Sequence, residues 1–231
     1  MGEISLTQML DKVISESLKD IGTSIPAHIL EFDVETQLAK VQIAIEFHSV
    51  DGDSFAIAPI VNVPVYFGGG NAFILEHQID TDDEGLLIVA QRCIDGWKEQ
   101  GGVAPQTVLR KLDMQDAIFI PGVRSKPNVI TDFQNDGVRI RSKDGTRHIH
   151  LKNTGEIEVK NEGATVSVKT DGLVKGSNDS GYFELQAAGD FVANDATMTV
   201  DGDVKTSEGI SLRTHTHVGN IGIPTSPPIV G

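Results

Sequence analysis

Two histidines separated by one residue, His215 and His217, lie in the segment THTH near the end of a sequence that contains seven histidines in all. Side chains on alternate residues of an extended strand point to the same face, so two imidazoles about 6 to 7 Å apart along the backbone can reach one object. Imidazole nitrogen is a good ligand for iron, zinc, copper and nickel. The spacing therefore predicts a metal site, with exposed histidines on a polar strand end as the alternative interpretation.

A second pair, His148 and His150, has the same spacing within the segment GTRHIHLKN. Arg147 precedes it and strand-like sequence continues on both sides, so we expect an exposed strand face. A second metal site or an anion site is the alternative. Cys93, the single cysteine of the chain, lies in the apolar run GLLIVAQRCI and is expected to be a buried, inert thiol.

Common catalytic patterns are missing from the sequence. It contains no Gly-x-Ser-x-Gly, no His-Glu-x-x-His and no paired catalytic carboxylates. The run Gly68–Gly70 lacks the Lys-Ser/Thr of a phosphate loop and indicates a flexible turn. The acidic run from Asp80 to Glu84 indicates a solvated hairpin turn. We therefore expect a protein that is not an enzyme.

Composition and charge exclude several classes of partner. The 231 residues carry a formal charge of −14, with a pI near 4.8. Such a charge repels phosphate backbones and anionic lipids, so no nucleic-acid partner is expected. The acidic start MGEISLTQ lacks the features of a secretory signal, and no apolar run approaches 18 residues. We expect synthesis and folding in a cytoplasm, without a membrane anchor.

Residues 1–24 are predicted to contain a short amphipathic helix that could serve as a docking segment. Apolar residues recur at helical spacing from Ile4 to Ile21, and Ser5 and Gln8 match a capping box. The helix packs either on its own domain or against a neighbouring protein. Both interpretations remain open at this point.

Residues 25–124 are predicted to form a small β-barrel. Two alternating runs, AHILEFD and LAKVQIAIEF, flank the polar segment VETQ and indicate a hairpin. Three further strand candidates follow, IAPIVNVPVYF, GGGNAFILEHQI and GLLIVAQRCI. Five strands with hardly any helix between them are typical of an OB-fold barrel. Trp97 is expected to plug the barrel.

Residues 125–212 are predicted to form a shaft of short alternating strands. The strands are GVRIRS, RHIHLK, EIEVK, TVSVK, YFELQ, TMTVDG and SLR, and the first five turns between them, from Asp136-Gly137 to Asp171-Gly172, recur every 8 to 10 residues. Each strand has two or three inward aliphatic side chains, such as Val138 and Ile140, too few for one chain to bury a core. Identical chains around a common axis would cover these faces and the open strand edges. We therefore predict an obligate homotrimer with an intertwined triple-stranded β-helix.

Residues 213–231 are predicted to form a small apex clasped by a metal. In a trimer whose strands end near the axis, His215 and His217 of each chain supply six nitrogens. Six ligands exceed those of tetrahedral zinc and favour an octahedral metal, with one iron per trimer as the leading candidate. No lysine, arginine or carboxylate side chain follows Arg213. An uncharged cap suits entry into a bilayer, where a charge at the centre costs roughly 2.5 kcal/mol or more.

Four segments together form a pattern that is more specific than any one of them. They are VPVYF, the motif R-x-I-D-x-W at Arg92 to Trp97, the motif D-A-I-x-x-P-G at Asp116 to Gly122, and THTH. In this combination, nearly the whole chain resembles the central spike proteins of contractile-tailed bacteriophages, including the short membrane-piercing spikes that end in an iron-binding apex.

The resemblance implies a virion protein at the tip of the tail baseplate. It implies an OB collar that docks on baseplate hub and tail tube proteins, a β-helical shaft, and an apex where His215 and His217 of three chains bind one iron. Sheath contraction would drive the spike through the host outer membrane. No lysozyme-like insertion is present, so the expected penetration is mechanical.

Two other protein classes share parts of this pattern. A trimeric β-helical tail fibre or adhesin that binds a host surface receptor usually ends in a bulky head, whereas 14 residues follow His217. A cupin-like metalloenzyme needs a further histidine and a carboxylate downstream of its histidine pair, and neither follows His217. The fibre is therefore the main alternative to the spike.

Overall fold

A computed structural model describes residues 5–19, 21–49, 51–219 and 222 of the chain. The protein is mostly β with few helices. Its chain divides into two compact units, Met1–Val129 and Ile130–Gly231. The predicted apex beyond Gly219 lies outside the described residues, apart from Gly222.

The elements of the first unit are few and short. Two α-helices are α1 (Leu6–Lys19) and α2 (Asp95–Gln100). The strands are β1 (Ser24–Asp33), β2 (Leu38–Ile43), β3 (Phe47–His48), β4 (Ser54–Phe55), β5 (Ile60–Pro64), β6 (Gly68–Gly69), β7 (Ile74–Leu75), β8 (Glu84–Val89) and β9 (Ala117–Pro121). Single 3-10 turns occur at Met114–Asp116 and Lys126–Asn128.

Helix α1 has the predicted cap and leaves its apolar side in solvent. Ser5 N donates to Gln8 Oε1 at 3.0 Å, and Gln8 N donates to Ser5 Oγ at 3.3 Å, which is the reciprocal bonding of a capping box. Its described apolar side chains are 52 to 73% exposed, namely Leu6, Met9, Leu10, Val13 and Ile14. The helix therefore leaves that face open to a neighbour and does not use it to cover the unit.

Five strands of the first unit form one curled sheet in the order β5-β2-β1-β8-β9. Neighbouring strands are antiparallel, and β1 and β2 form the predicted hairpin around Val34–Gln37. Val65, just beyond β5, pairs in parallel with Phe119 of β9, and Tyr66 N donates to Phe119 O at 2.9 Å. This contact draws the two edge strands together, as expected for a small barrel of the OB type.

The interior of the curled sheet is filled by aliphatic side chains and one large aromatic ring. Phe119 is 0% exposed and is surrounded by a cluster of buried residues that comprises Ala27, Ile29, Ala39, Val41, Ile43, Ile60, Val63, Leu87, Val89 and Ala117. Trp97 lies on α2 and is 45% exposed. The prediction that Trp97 plugs the barrel is wrong, since Phe119 already fills that space.

The membership of the sheet also differs from the prediction at one strand. The segment GGGNAFILEHQI does not enter the sheet, and instead forms the small hairpin of β6 and β7. The fifth strand is β9, with the sequence AIFIP. Its alternate residues Ala117 and Phe119 are fully buried, whereas Phe73 to Leu75 are exposed. Hydrophobicity alone did not separate these two segments.

The described residues of the second unit form a ladder of nine strands, each paired antiparallel with the next strand of the chain. The strands are β10 (Gly137–Arg141), β11 (His148–Lys152), β12 (Ile157–Lys160), β13 (Ala164–Val168), β14 (Val174–Asn178), β15 (Gly181–Leu185), β16 (Phe191–Ala193), β17 (Ala196–Met198) and β18 (Val204–Lys205). Most predicted turns are present, with φ from +78° to +93° at Gly145, Gly155, Gly172, Gly202 and Gly209. Strands β14, β16 and β18 were not predicted, because VKGSN is too polar and FVA and VK are too short to show alternation. The prediction of a strand at SLR is wrong, since Ser211 forms an isolated bridge with Lys205 and Leu212 and Arg213 lie in a turn.

Cross-strand pairing gives the ladder two different faces. The register sets Ile140 opposite Ile149, Ile149 opposite Val159 and Val159 opposite Val166, so aliphatic residues line up on one side. We call this side the apolar face; its large residues are 37 to 67% exposed and are Val138, Ile140, Ile149, Leu151, Ile157, Val159, Val166, Val168, Phe183, Leu185, Phe191, Met198 and Val204. The other side carries ion pairs, including Lys175 with Glu184 at 2.7 Å.

Candidate metal centre

His215 and His217 lie directly after a tight turn at the end of the ladder. Their rings are close, with centroids 5.0 Å apart and planes at 86°. His215 is half-buried and His217 is exposed. The prediction placed the pair on an extended strand, but neither residue is in a strand. The rings are therefore brought together edge to face by the turn, and not by the alternation of side chains along a strand.

A buried carboxylate holds the turn that precedes the histidines. Asp203 is 7% exposed, and its Oδ2 accepts a hydrogen bond from Ser211 Oγ at 2.6 Å. Its Oδ1 accepts from Arg213 N at 3.1 Å. The bond from Ser211 is the main reason why the pKa of Asp203 lies below its usual value. Ser211 Oγ also accepts from Thr214 N at 3.1 Å, so the turn has its own anchor.

The contacts of His215 determine which ring nitrogen is available to a ligand. Its Nδ1 lies 2.9 Å from Ser211 O and 3.1 Å from Leu212 O. A carbonyl oxygen can only accept, so Nδ1 carries the proton and donates it. The lone pair of the neutral ring is then on Nε2. Histidine ligands of metals are commonly oriented in this way by a backbone carbonyl.

One chain supplies only part of a metal site at this position. Two imidazoles from His215 and His217 fall short of the four ligands of a structural zinc site and of the six of an octahedral metal. Among the residues that the structure describes, one cluster has three or more potential metal ligands. It consists of Cys93, Asp95 and Asp116, which belong to the first unit and are more than 90 residues before His215 in the sequence. The donor chemistry at the apex fits a first-row metal, provided that further ligands come from outside the chain.

The Cys93 cluster already contains a cation of the protein. Arg110 Nη2 lies 2.7 Å from Asp95 Oδ2 and 3.3 Å from Cys93 Sγ. Its Nε and Nη2 each lie 3.0 Å from an oxygen of Asp116. Lys98 Nζ is 2.9 Å from the other oxygen of Asp95. The guanidinium group takes the place that a metal ion would need, so this cluster is an ion-pair network.

This network was not predicted from the sequence, although Cys93 and the two motifs that contain Asp95 and Asp116 had been considered. Asp95 and Asp116 belong to the motifs R-x-I-D-x-W and D-A-I-x-x-P-G. Asp116 is 1% exposed, and an aspartate directly before the apolar strand AIFIP is a signal for a buried partner. Cys93 is buried, as predicted.

His148 and His150 are buried, which makes the prediction of an exposed strand face wrong. They are 9% and 4% exposed, and lie on the polar side of β11, opposite to Ile149 and Leu151. Arg139 Nη2 lies 2.7 Å from His148 Nδ1, and Glu158 Oε1 lies 2.7 Å from His148 Nε2. Long charged side chains from both neighbouring strands contact the ring of His148, and the ring of His150 lies edge to face with it at 6.3 Å.

Each nitrogen of His148 has a defined role. Arginine can only donate, so in the shorter contact Nδ1 accepts from Arg139, and Nε2 donates to Glu158. The carbonyl of Gly145 lies 3.3 Å from the same Nδ1 and accepts from Arg139 Nη2 instead, at 3.2 Å. His148 is therefore bonded within its own ladder. His150 Nε2 lies 3.0 Å from Asp136 Oδ1, at an angle outside the range of a hydrogen bond.

Residues 25–122 match the family model described as the phage protein Gp138 N-terminal domain. The match supports a phage structural protein. It covers the first-unit sheet from β1 to β9 and leaves the ladder and the histidine pair unmatched. No curated protein matches the chain. A phage protein domain of this kind indicates a component of the virion.

None of the described helices has both the length and the apolar composition needed to cross a membrane.

Proposed function

We propose that this protein is the central spike of a contractile phage tail, a homotrimer that docks on the baseplate hub and mechanically pierces the host outer membrane. In this proposal the curled sheet is an OB-fold collar. Three ladders form the shaft as a triple-stranded β-helix, and His215 and His217 of the three chains hold one iron at the apex. The protein has a mechanical role and is not an enzyme.

The observation that carries the proposal is the apolar face of the ladder. Thirteen large apolar side chains, all at least 37% exposed, form a continuous strip across the strands from β10 to β18. Soluble monomers rarely expose so extended an apolar strip. Three copies that turn this face toward a common axis remove it from water, while the ion pairs of the polar side stay outside.

The apex geometry supports a metal that joins chains. His215 has its Nδ1 proton directed at Ser211 O, and the ring of His217 lies beside it. Two ligands per chain and three chains complete an octahedron, which is a geometry that iron accepts. The match to a phage protein domain supports the virion location.

Metal analysis of the purified protein tests the apex directly. We expect about one iron per three chains, and loss of that iron in the variant His215→Ala/His217→Ala, because each chain would lose both ligands. His48→Ala is the matched control, since His48 is exposed and its ring bonds to Ser54 within the first unit. Sedimentation of the same samples reports the number of chains.

Each outcome of this experiment has a clear meaning. A trimer without metal at His215 and His217 would favour the fibre or adhesin over the spike. One metal per chain in a monomer would contradict the proposal altogether. Iron retained by the double variant would remove the site assignment.

A further inference from the structure

A short hairpin of the first unit carries three adjacent large apolar side chains in solvent. Strands β6 and β7 pair Gly68 with Leu75 and Gly69 with Ile74, and Gly70 N donates to Phe73 O at 2.8 Å. We call residues 68–76 the finger. Phe73, Ile74 and Leu75 are 86%, 68% and 67% exposed. The apolar tip is therefore available to another molecule.

The base of the finger is held by an aromatic cluster. The ring of Phe67 lies 6.4 Å from that of Phe32 on β1 and 5.1 Å from that of His77. Phe67 and His77 flank the finger, so both of its ends are tied to a barrel strand. A Cβ atom at Gly69 would lie 2.3 Å from Phe73 O. The pairing of β6 with β7 and the aromatic contacts at the base restrict the finger before binding, in contrast to the flexible turn expected at Gly68–Gly70, and this lowers the entropy lost on docking.

The finger lies in the most acidic part of the chain. Residues 71–84 contain five carboxylates and no lysine or arginine. Within the described residues, no basic side chain forms a salt bridge with Glu76, Asp80, Asp82 or Asp83. The whole first unit, residues 1–129, carries 19 Asp and Glu against nine Lys and Arg, a formal charge of −10.

We propose that the finger is a docking element whose apolar tip enters a pocket, rimmed by lysine or arginine, on a partner protein. The negative charge of the finger favours this partner over two other candidates, a second copy of the chain and an anionic lipid surface. A second copy of the finger has the same charge and is repelled. An anionic lipid surface is repelled as well. A basic rim is attracted, and it steers the encounter while the apolar tip supplies the affinity.

This inference rests on the proposed function, because it takes the hub of the same tail as the partner. Calorimetric titration of the purified full-length trimer with that hub protein gives the Kd. The tip variant is Phe73→Ser/Ile74→Ser/Leu75→Ser, and all three side chains are exposed, so the fold should be unchanged by circular dichroism. Its matched control is Val103→Ser/Leu109→Ser, which removes two apolar side chains of the same unit that are 106% and 89% exposed.

A second pair of variants tests the charge. Glu76→Lys/Asp80→Lys reverses two carboxylates at the finger, and Asp51→Lys/Asp53→Lys makes the same change at the exposed turn between β3 and β4. We expect the tip variant to bind about 30-fold more weakly or worse, as for an interface anchor. We expect the finger charge variant to weaken binding and to reduce its salt dependence, and both controls to bind like the unaltered protein.

The outcomes separate the inference from the function on which it rests. If the unaltered trimer binds the hub and the tip variant binds equally well, the finger is not the docking element although the spike proposal stands. If the unaltered trimer does not bind the hub, hub docking and the finger assignment fail together. Loss of the trimer in the tip variant would identify a second copy as the occupant. Tip-dependent binding to vesicles of phosphatidylcholine and phosphatidylglycerol would identify lipid, and either result would overturn the inference.

Discussion

At the scale of residues, two buried carboxylates, Asp116 and Asp203, are satisfied by specific hydrogen-bond partners. Asp116 is 1% exposed, and two nitrogens of Arg110 bond its two oxygens at 3.0 Å. The hydrogen bonds from Arg110 hold the pKa of Asp116 below its ordinary value of 3.8, although burial acts in the opposite direction. Asp203 is held in the same way by Ser211 in front of the histidine pair. Each of these carboxylates also accepts a hydrogen bond from a backbone N–H of a turn or loop, from Ile94 for Asp116 and from Arg213 for Asp203.

Replacement of Arg110 tests the pair. Arg110→Met leaves the Asp116 charge buried without a partner, so we expect a loss of about 3 kcal/mol in the free energy of unfolding at pH 7. The change is measured by urea unfolding of the first unit, followed by the fluorescence of Trp97, the single tryptophan. The control Lys40→Met removes an exposed pair with Glu31 and should cost less than about 1 kcal/mol. Equal losses in the two variants would contradict the assignment.

The same variants predict a pH dependence with a defined sign. A carboxyl whose folded pKa is lowered stabilises the fold above its unfolded pKa, and this contribution is lost as the pH falls through the folded value. For Asp116 the loss begins below about pH 3.8, the ordinary value, and continues to lower pH. We therefore expect the difference in stability between the unaltered protein and Arg110→Met to be largest at neutral pH and to shrink as the pH falls, beginning above pH 3.8, because burial without Arg110 raises the Asp116 pKa in the variant. A difference that stays constant from pH 7 to pH 3 would show that Arg110 does not act through a carboxylate.

At the scale of elements, the curled sheet depends on close contact between β8 and β9. Gly85 on β8 pairs with Pro121 at the end of β9. A Cβ atom at Gly85 would lie 2.4 Å from Ile120 O and 2.5 Å from Cζ of Phe119, the ring that fills the interior. Glycine is needed here for space, so that the large ring of Phe119 can lie against the backbone of the next strand.

Substitution of this glycine is expected to loosen the sheet. Gly85→Ala should destabilise the first unit by about 1 to 3 kcal/mol through overpacking, which is a fall of several degrees in Tm. Gly70→Ala is the control, because no heavy atom lies within 4 Å of its Cβ position. Thermal unfolding followed by Trp97 fluorescence gives both values. An unchanged Tm for Gly85→Ala would mean that β8 and β9 can separate without loss.

At the scale of the whole molecule, the ladder is incomplete as a single chain. Its polar side is closed by ion pairs and by the buried rings of His148 and His150. Its apolar face has no cover among the residues that the structure describes. The proposed trimer supplies that cover, and it also brings the three histidine pairs to one point. In this proposal, one association of three chains would both cover the exposed apolar face and complete the set of metal ligands.

A charge on the apolar face tests the trimer. Val166 and Thr165 are neighbours on β13 whose side chains lie on opposite faces. Val166→Asp would place three carboxylates at the axis without partners, so we expect the trimer to dissociate or fail to form. Thr165→Asp puts the same residue on the polar face and should leave the trimer intact. Sedimentation velocity distinguishes three chains from a single chain of 24.8 kDa; a trimeric Val166→Asp protein would count against the arrangement.

The sequence alone determined the local elements of this protein. Alternating residues predicted β1, β2 and most strands of the ladder, and glycines marked the turns, because strand periodicity and positive φ are properties of a few neighbouring residues. The capping residues Ser5 and Gln8 likewise predicted the start of α1. These features need no knowledge of what lies across the fold.

The tertiary structure alone decided which segments and side chains meet. It placed AIFIP, and not GGGNAFILEHQI, in the curled sheet, and it paired Arg110 with Asp116. It buried His148 between Arg139 and Glu158, and His150 beside His148, where alternation had suggested solvent. The reason is that a periodic pattern specifies which side of a strand a residue is on, whereas burial depends on the side chains that neighbouring strands bring over it.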